Sequence, residues 1–212
     1  MPSLRAILSS HAPILLVDAA SARIQAGVWS ATGSIRWESS DNEASLGVFA
    51  CVEQLGIKID SVGGFVFCDG PGSILGIRTV AMALRTWRVL TPRPIWAYRS
   101  LDLLVHALGD PAIAAIADAR RDRWHVARLG HPMMRVPTAE LPRTPLVAPG
   151  GFRQWSKLPG GLAVHSAPYD LATLWPRALD ADLLHPIDEP EAFLHEEPIY
   201  AEWTPQIHRA SS

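Results

Sequence analysis

The chain has 212 residues, 48% of them hydrophobic and 19% charged, so it carries the apolar material of a folded core and not the balance of a disordered chain. Its formal net charge of −2 supplies no global positive field for nucleic acid. Two cysteines, Cys51 and Cys68, are too few for a disulfide framework or a four-cysteine zinc site, and no apolar stretch is long enough to span a membrane. The N-terminal run is broken by Ser9, Ser10, His11 and Pro13, which does not fit a signal peptide. A soluble, cytoplasmic protein is expected.

In chain order, the first clear element is the apolar run Ile14 to Ala19, carrying Asp18 near its end. Ala22 to Ser30 then alternates, with Ile24, Ala26 and Val28 on one face, as a half-buried strand does. Thr32-Gly33 is a turn into a third strand over Ser34 to Glu38. Asp41 or Asn42 caps a helix that runs to about Leu55 and stops at Gly56. Val62 to Cys68 reads as a buried strand, and Gly76 to Leu90 has the apolar spacing of a helix that Pro92 and Pro94 terminate. A short strand over Ile95 to Tyr98 and a helix capped by Ser100 follow, then a hairpin of Ile113 to Asp118 and Trp124 to Leu129. Trp29, Trp37 and Trp124 are expected to face outward.

Beyond Gly130 the texture changes, because twelve of the 18 prolines lie there. Proline fixes φ and removes a donor, so long helices are not expected. Gly161 to Ser166 reads as a strand, Pro168 to Leu174 as a helical turn or two, and Glu197 to Trp203 as an edge strand. No internal repeat of fixed period is present. Three strands in succession, then a helix, a strand, a helix and a strand, resemble the core of the actin-like ATPase superfamily. That core is a ribonuclease-H-like sheet with an acidic residue on its first strand.

The densest motif is Gly70-Pro71-Gly72-Ser73-Ile74-Leu75-Gly76-Ile77-Arg78, directly after a strand. Its glycines and proline make a tight strand-to-helix turn, and the helix behind it presents free N–H groups to an anion. Arg78 sits unfavourably near the positive end of that helix, so a carboxylate or anion partner is expected for it. Two readings stand: a strand-to-helix connection, or an anion or nucleotide contact through Gly70, Pro71, Gly72, Ser73, Gly76 and Arg78. The glycine spacing and the absence of a following Gly-Lys exclude a Walker loop.

The motif resembles the GPGSFTGLR signature of the TsaB family (YeaZ-like), the dimerisation subunit of the bacterial tRNA threonylcarbamoyladenosine machinery. Further segments agree in order: LLVDAA at 15–20, RPIWAYRSLDLLVHAL at 93–108, IAAIADARRDRWHVARL at 113–129 and Pro198-Ile199-Tyr200-Ala201. The chain departs from the family at Ile74-Leu75, where Phe-Thr is usual, and lacks its histidine at the start of the first long helix. The resemblance implies an actin-like α/β fold in two lobes, 1–105 and a smaller proline-rich one over 106–212.

It also implies a non-catalytic scaffold that supports a TsaD-like catalytic subunit acting on adenosine 37 of tRNA. A TsaE-like ATPase would join the assembly, the chain alone would homodimerise, and tRNA would be reached indirectly. No cofactor of its own is expected; ATP or ADP would enter only at an interface with a partner. No two of the eight histidines are four residues apart, so the metal motif of the catalytic relative is absent, and no Ser/His/Asp or H-E-x-x-H arrangement is found.

The helices Asn42–Leu55 and Gly76–Leu90 are apolar on more than one side, which points to a second burial partner. Leu46, Val48, Phe49, Val52, Val80, Leu84 and Trp87 are the expected interface residues. Asp18 reads as a strand-end turn residue or as the metal- or water-orienting carboxylate that active actin-like enzymes carry at this place. Asp118 is expected to pair with Arg120 or Arg121 in a hairpin turn, the alternative being a contact at a partner or tRNA surface. The alternative function is a stand-alone actin-like nucleotide-binding protein or peptidase-like enzyme, for which Gly150-Gly151 and Gly160-Gly161 are the remaining glycine pairs in the second half.

Overall fold

The computed structural model describes residues 1–158 and 160–193 as a mixed α/β protein, with two sheets and five α-helices among those residues. It opens with a helix where the sequence suggested no element, α1 (Leu4–His11). Ser3 caps α1 by accepting from the Ala6 N–H at 3.2 Å, and Leu4 and Ile7 turn into the core. Strand β1 (Ile14–Asp18) follows, then β2 (Ile24–Trp29) and β3 (Ile35–Ser40). The chain continues through α2 (Ala44–Gln54), β4 (Gly64–Gly70), α3 (Ile74–Leu90), β5 (Ile95–Arg99) and α4 (Ser100–Leu108). The remaining elements are β6 (Ala114–Asp118), β7 (Arg123–Arg128), β8 (His131–Pro137), β9 (Leu146–Pro149), β10 (Val164–Ala167), α5 (Leu171–Arg177) and β11 (His185–Pro186).

The first sheet has the order β11-β5-β4-β1-β2-β3, and the second has β10-β9-β6-β7-β8. In each, three antiparallel strands come first in the chain and two parallel strands are added on the other side of the first strand. The two sheets therefore repeat one topology, 3-2-1-4-5, without any repeat in sequence. Strands β1 and β4 are buried along their whole length, which is why they read as continuous apolar runs; β2, expected from its alternation to be half-buried, is buried at every residue as well. One large core joins the first sheet, α3, α4 and α5 to the inner residues Ala115, Ala117 and Ala127 of the second, and Ile116 and Trp124 anchor a smaller cluster on its other face.

Several local expectations are corrected. Helix α2 is preceded by Glu43, with no side-chain cap from Asp41 or Asn42. Helix α3 begins two residues before Gly76, at Ile74 behind the Ser73 cap. Ser100 is the first residue of α4 and not its cap; its hydroxyl donates to the Pro71 carbonyl at 2.6 Å. Trp29 and Trp124 are buried and Trp37 is half-buried, so none faces freely outward. Trp37 lies across β2, occupying the space that any side chain at Gly27 would fill. Beyond Gly130 there are more strands than the prolines suggested. Pro132, Pro137 and Pro149 sit in the edge strand β8 or at strand ends, where a missing N–H costs no ladder bond. The expected strand over Glu197 to Trp203 lies outside the described residues.

After α5 the chain returns to the first sheet, where β11 pairs antiparallel with β5. His185 of β11 lies 3.1 Å from Asp69 Oδ2, and Arg99 Nε lies 3.2 Å from Asp69 Oδ1. Asp102 of α4 completes this group. Burial pushes its carboxyl up from 3.8 to about 6; Arg99 and His185 oppose the rise and Asp69 adds to it. The folded-state value lies above the unfolded one, so the contribution of Asp102 is fully present below pH 4 and is lost as pH rises through 6. Over that window this one group removes up to about 3 kcal/mol. Asp102→Asn is expected to be the more stable protein at pH 7.5 and no more stable than the parent at pH 4, as read from urea midpoints at the two pH values. An equal difference at both would refute the assignment.

Candidate functional site

A cleft of about 550 Å³ opens where the end of β1, the starts of α2 and α3, the end of β6 and residues 151–155 converge. One wall is the turn Gly70–Arg78. Its geometry is set by how closely it approaches the backbone leaving β1. A Cβ on Gly72 would lie 2.5 Å from the Ala20 carbonyl oxygen, and one on Gly76 would lie 2.1 Å from that of Ala19. The Ser73 N–H donates to the Ala20 carbonyl at 2.7 Å, and the Ser73 hydroxyl accepts from the Gly76 N–H at 3.3 Å. Glycine is thus required here by proximity, and the first turn of α3 spends donors on the protein itself. Arg78 finds the expected carboxylate in Glu191, at 3.2 Å. Of the motif, Gly72, Ser73, Ile74, Leu75 and Gly76 line the cleft, while Gly70, Pro71 and Arg78 do not.

The opposite wall is built from the β6–β7 hairpin. Arg120, Arg121 and Asp122 all take left-handed conformations, with φ of 60°, 53° and 54°. Three successive non-glycine residues in this region are costly and persist only where the surroundings hold them. Asp118 is one support. Its carboxylate accepts from the N–H groups of Arg120 and Trp155, each at 2.6 Å, and from that of Ser156. Thr138 supplies another, donating to the Asp122 carbonyl through its N–H at 2.8 Å. The expected ion pair of Asp118 with Arg120 or Arg121 is therefore replaced by backbone amides. Burial raises the Asp118 carboxyl, but the donors from Ser156, Arg120 and Trp155 outweigh it and hold it below its ordinary value. Arg120 is thereby placed over the Trp155 ring, 4.4 Å from its centroid, at the cleft wall. Sequence reasoning missed Arg153 and Trp155, although both follow the Gly150-Gly151 pair it had singled out.

Asp18 does not open into the cleft. It is fully buried behind two tyrosines, with Tyr98 and Tyr169 donating to its Oδ2 at 2.5 and 2.8 Å and the Ala20 N–H donating to Oδ1 at 2.7 Å. Burial raises its carboxyl above the ordinary value even against these donors. Gln25 continues the network, donating to the Tyr169 carbonyl at 3.0 Å and accepting from the Leu171 N–H at 2.9 Å. The group ties β1 and β2 to the chain entering α5, and no solvent or substrate reaches it as built. Among the described residues no group of His, Cys, Asp or Glu side chains is arranged to hold a metal ion. No helix among them is long and apolar enough to cross a membrane.

The expected interface residues divide in two. Leu46 and Phe49 are exposed on the outer face of α2. Val48, Val52, Val80, Leu84 and Trp87 are buried in the chain's own core, so the breadth of the apolar pattern at those five positions reflects intramolecular packing. The outer face of α3 instead carries Leu75, Met82 and Val89, spaced seven residues apart and 75%, 56% and 83% exposed. Phe49 meets Trp87, on the buried side of α3, edge-on at 6.3 Å, so the two helices touch beside the core. Sequence spacing had set Val89, with Trp87, beyond the core stripe of its helix and had marked Leu75 only as a member of the motif.

Solved structures provide the comparison. The chain is similar to YeaZ from Pseudomonas aeruginosa, at 18% identity and a TM-score of 0.56, over 77% of this chain and 92% of that one. It is also similar to an uncharacterized protein with similarity to the peptidase YeaZ from Pseudomonas aeruginosa, at 17% identity and a TM-score of 0.51, over 64% and 74% of the two chains. YeaZ is TsaB, so the resemblance read from the signature is matched by likeness of fold. No protein-family model and no curated protein matches the sequence.

Two substitutions check this assignment of parts. Gly76→Ala is expected to cost about 1–3 kcal/mol by pushing α3 off the Ala19 carbonyl, read from the urea midpoint. Val80→Asp places an unpaired carboxylate in the core and is expected to abolish the cooperative transition. A Val80→Asp protein as stable as the parent would show that this face of α3 is open.

Proposed function

We propose that the chain is a TsaB-like docking subunit without catalysis of its own, built on an actin-like, ribonuclease-H-like fold. Its partner is a TsaD-like catalytic subunit that transfers the threonylcarbamoyl group to adenosine 37 of tRNA in the cytoplasm, with a TsaE-like ATPase in the same assembly. The observation that carries the reading is the set of large apolar residues left exposed on two helices in contact, Leu46 and Phe49 on α2 and Leu75, Met82 and Val89 on α3. Exposed apolar side chains of this kind are what a protein interface buries at its centre. The repeated strand order of the two sheets supports the actin-like reading. The sealing of Asp18 behind Tyr98 and Tyr169 supports a role without chemistry at that carboxylate. In this reading the chain alone pairs with a second copy through the same face, tRNA is reached through the partner, and ATP or ADP enters only at an interface.

The test is size-exclusion chromatography with light scattering on a mixture with the TsaD-like protein of the same genome. A one-to-one complex is expected for the parent chain, and its loss for Leu46→Asp and Met82→Asp, both of which remain folded because their side chains are exposed. A complex that survives both substitutions would refute the assigned face. The cleft of about 550 Å³ favours a second reading, a stand-alone nucleotide-binding or peptidase-like protein. Saturable heat on titrating ATP or ADP into the isolated chain would favour that one.

A further inference from the structure

The cations of the chain are unevenly placed. Between positions 119 and 165 stand eight of its 19 arginines and lysines but two of its 21 aspartates and glutamates, so this stretch is positive while the whole carries −2. In the first sheet and its helices, arginines are answered by carboxylates. Arg78, Arg85 and Arg88 meet the acidic segment of Asp188, Glu189 and Glu191, and Arg99 meets Asp69. Arg120, Arg121, Arg153 and Lys157 are exposed, and among the described residues none of the four is in an ion pair.

Asp118 brings these four together. Its carboxylate accepts from the Arg120 N–H on the β6–β7 turn and from the Trp155 N–H, each at 2.6 Å, so two loops distant in sequence end at one point. The turn is also held from the core. The Thr138 N–H donates to the Asp122 carbonyl at 2.8 Å, and the Thr138 hydroxyl accepts from the buried Trp124 indole at 3.0 Å. What the left-handed run Arg120–Asp122 presents, at a cost in backbone strain, is two adjacent guanidinium groups.

Trp155 stands among these cations. It belongs to neither apolar cluster and is 53% exposed, although Arg120 already lies over its ring. Unpaired cations attract a polyanion, and a flat exposed ring between them takes an unstacked base. A duplex keeps its bases stacked and would leave Trp155 unused. An acidic peptide would use the cations alone.

We propose that the end of the β6–β7 hairpin, with residues 153–157, is a contact site for single-stranded nucleic acid. Phosphates lie on Arg120, Arg121, Arg153 and Lys157, and one base stacks on Trp155. The site shares no residue with the exposed apolar set of α2 and α3. It goes beyond the scaffold reading, in which tRNA is reached through the partner, and belongs to the isolated chain, so either can fail without the other.

The probe is a labelled single-stranded RNA of about 12 nucleotides, titrated by fluorescence anisotropy into the isolated chain. DNA of the same sequence, the RNA duplex and polyglutamate are the comparison ligands. The single strand is expected to bind more tightly than the duplex or polyglutamate, with log affinity falling against log salt at a slope of about −3 for four phosphate contacts. Trp155→Ala is expected to lower affinity about tenfold with the slope unchanged, and Trp155→Tyr to restore it. Arg121→Gln/Arg153→Gln is expected to flatten the slope to about half. Circular dichroism establishes that each variant is folded. Tighter binding of RNA than of DNA would show that the 2′-hydroxyl is read, and equal binding that phosphate and base suffice. No binding of the single strand at low salt, affinity indifferent to Trp155→Ala and to the double variant, or polyglutamate binding as tightly as RNA would each overturn the proposal, the last in favour of an acidic protein partner.

Discussion

The approach of α3 to the backbone leaving β1 fixes most of what lies outside it. With no side chain at Gly72 or Gly76, the start of the helix comes within contact of the Ala19 and Ala20 carbonyls and ties to Ala20 through the Ser73 N–H. That seating sets the rotation of α3 about its axis. Val80, Leu84 and Trp87 then fall on the sheet, Leu75, Met82 and Val89 fall on solvent, and Arg78, Arg85 and Arg88 fall on the flank where the acidic segment lies. One helix thereby separates a core face, an apolar surface and a basic row. This packing alone requires glycine at 72 and 76.

The first sheet is tied to the chain entering α5 through polar as well as apolar contacts. Asp18, Tyr98, Tyr169 and Gln25 form a closed network in which the described donors and acceptors find one another across three segments of the chain. A buried carboxylate is costly to ionise, and its neighbours here are hydroxyls rather than cations, so its value lies in specifying one arrangement of the segments. The contrast with the cleft is instructive. There the strained Arg120–Asp122 turn, held by Asp118 and Thr138, places a guanidinium at an open surface. Polar groups turned inward serve the fold, and those held outward under strain are available to a ligand or a partner.

The first sheet was legible because its central strands read as apolar runs bounded by glycine and proline, and because α3 and α4 carry unmistakable helical spacing. The second sheet was legible only in part: the β6–β7 hairpin and the strand at β10 were read, and β8 and β9 were not. Strand β8 contains Pro132 and ends on Pro137, β9 ends on Pro149, and proline reads as a breaker unless the pairing partner is known. The repeat of topology left no trace in sequence, since strand order depends on long-range pairing rather than on local pattern. Of the residues the sequence named for an interface, Val48, Val52, Val80, Leu84 and Trp87 lie under the chain's own core, while Leu46 and Phe49 are exposed. Both faces of α2 and α3 are apolar, and only the position of the sheet decides which of them is covered.

The account turns on the exposed apolar residues of α2 and α3 being made to be covered. Hydrogen–deuterium exchange of the chain with and without the TsaD-like protein measures this directly, peptide by peptide. The account predicts slowed exchange across residues 44–54 and 74–90 in the mixture, with the β6–β7 hairpin and α5 unchanged. Protection confined to other segments, with these two helices exchanging as they do in the isolated chain, would contradict it.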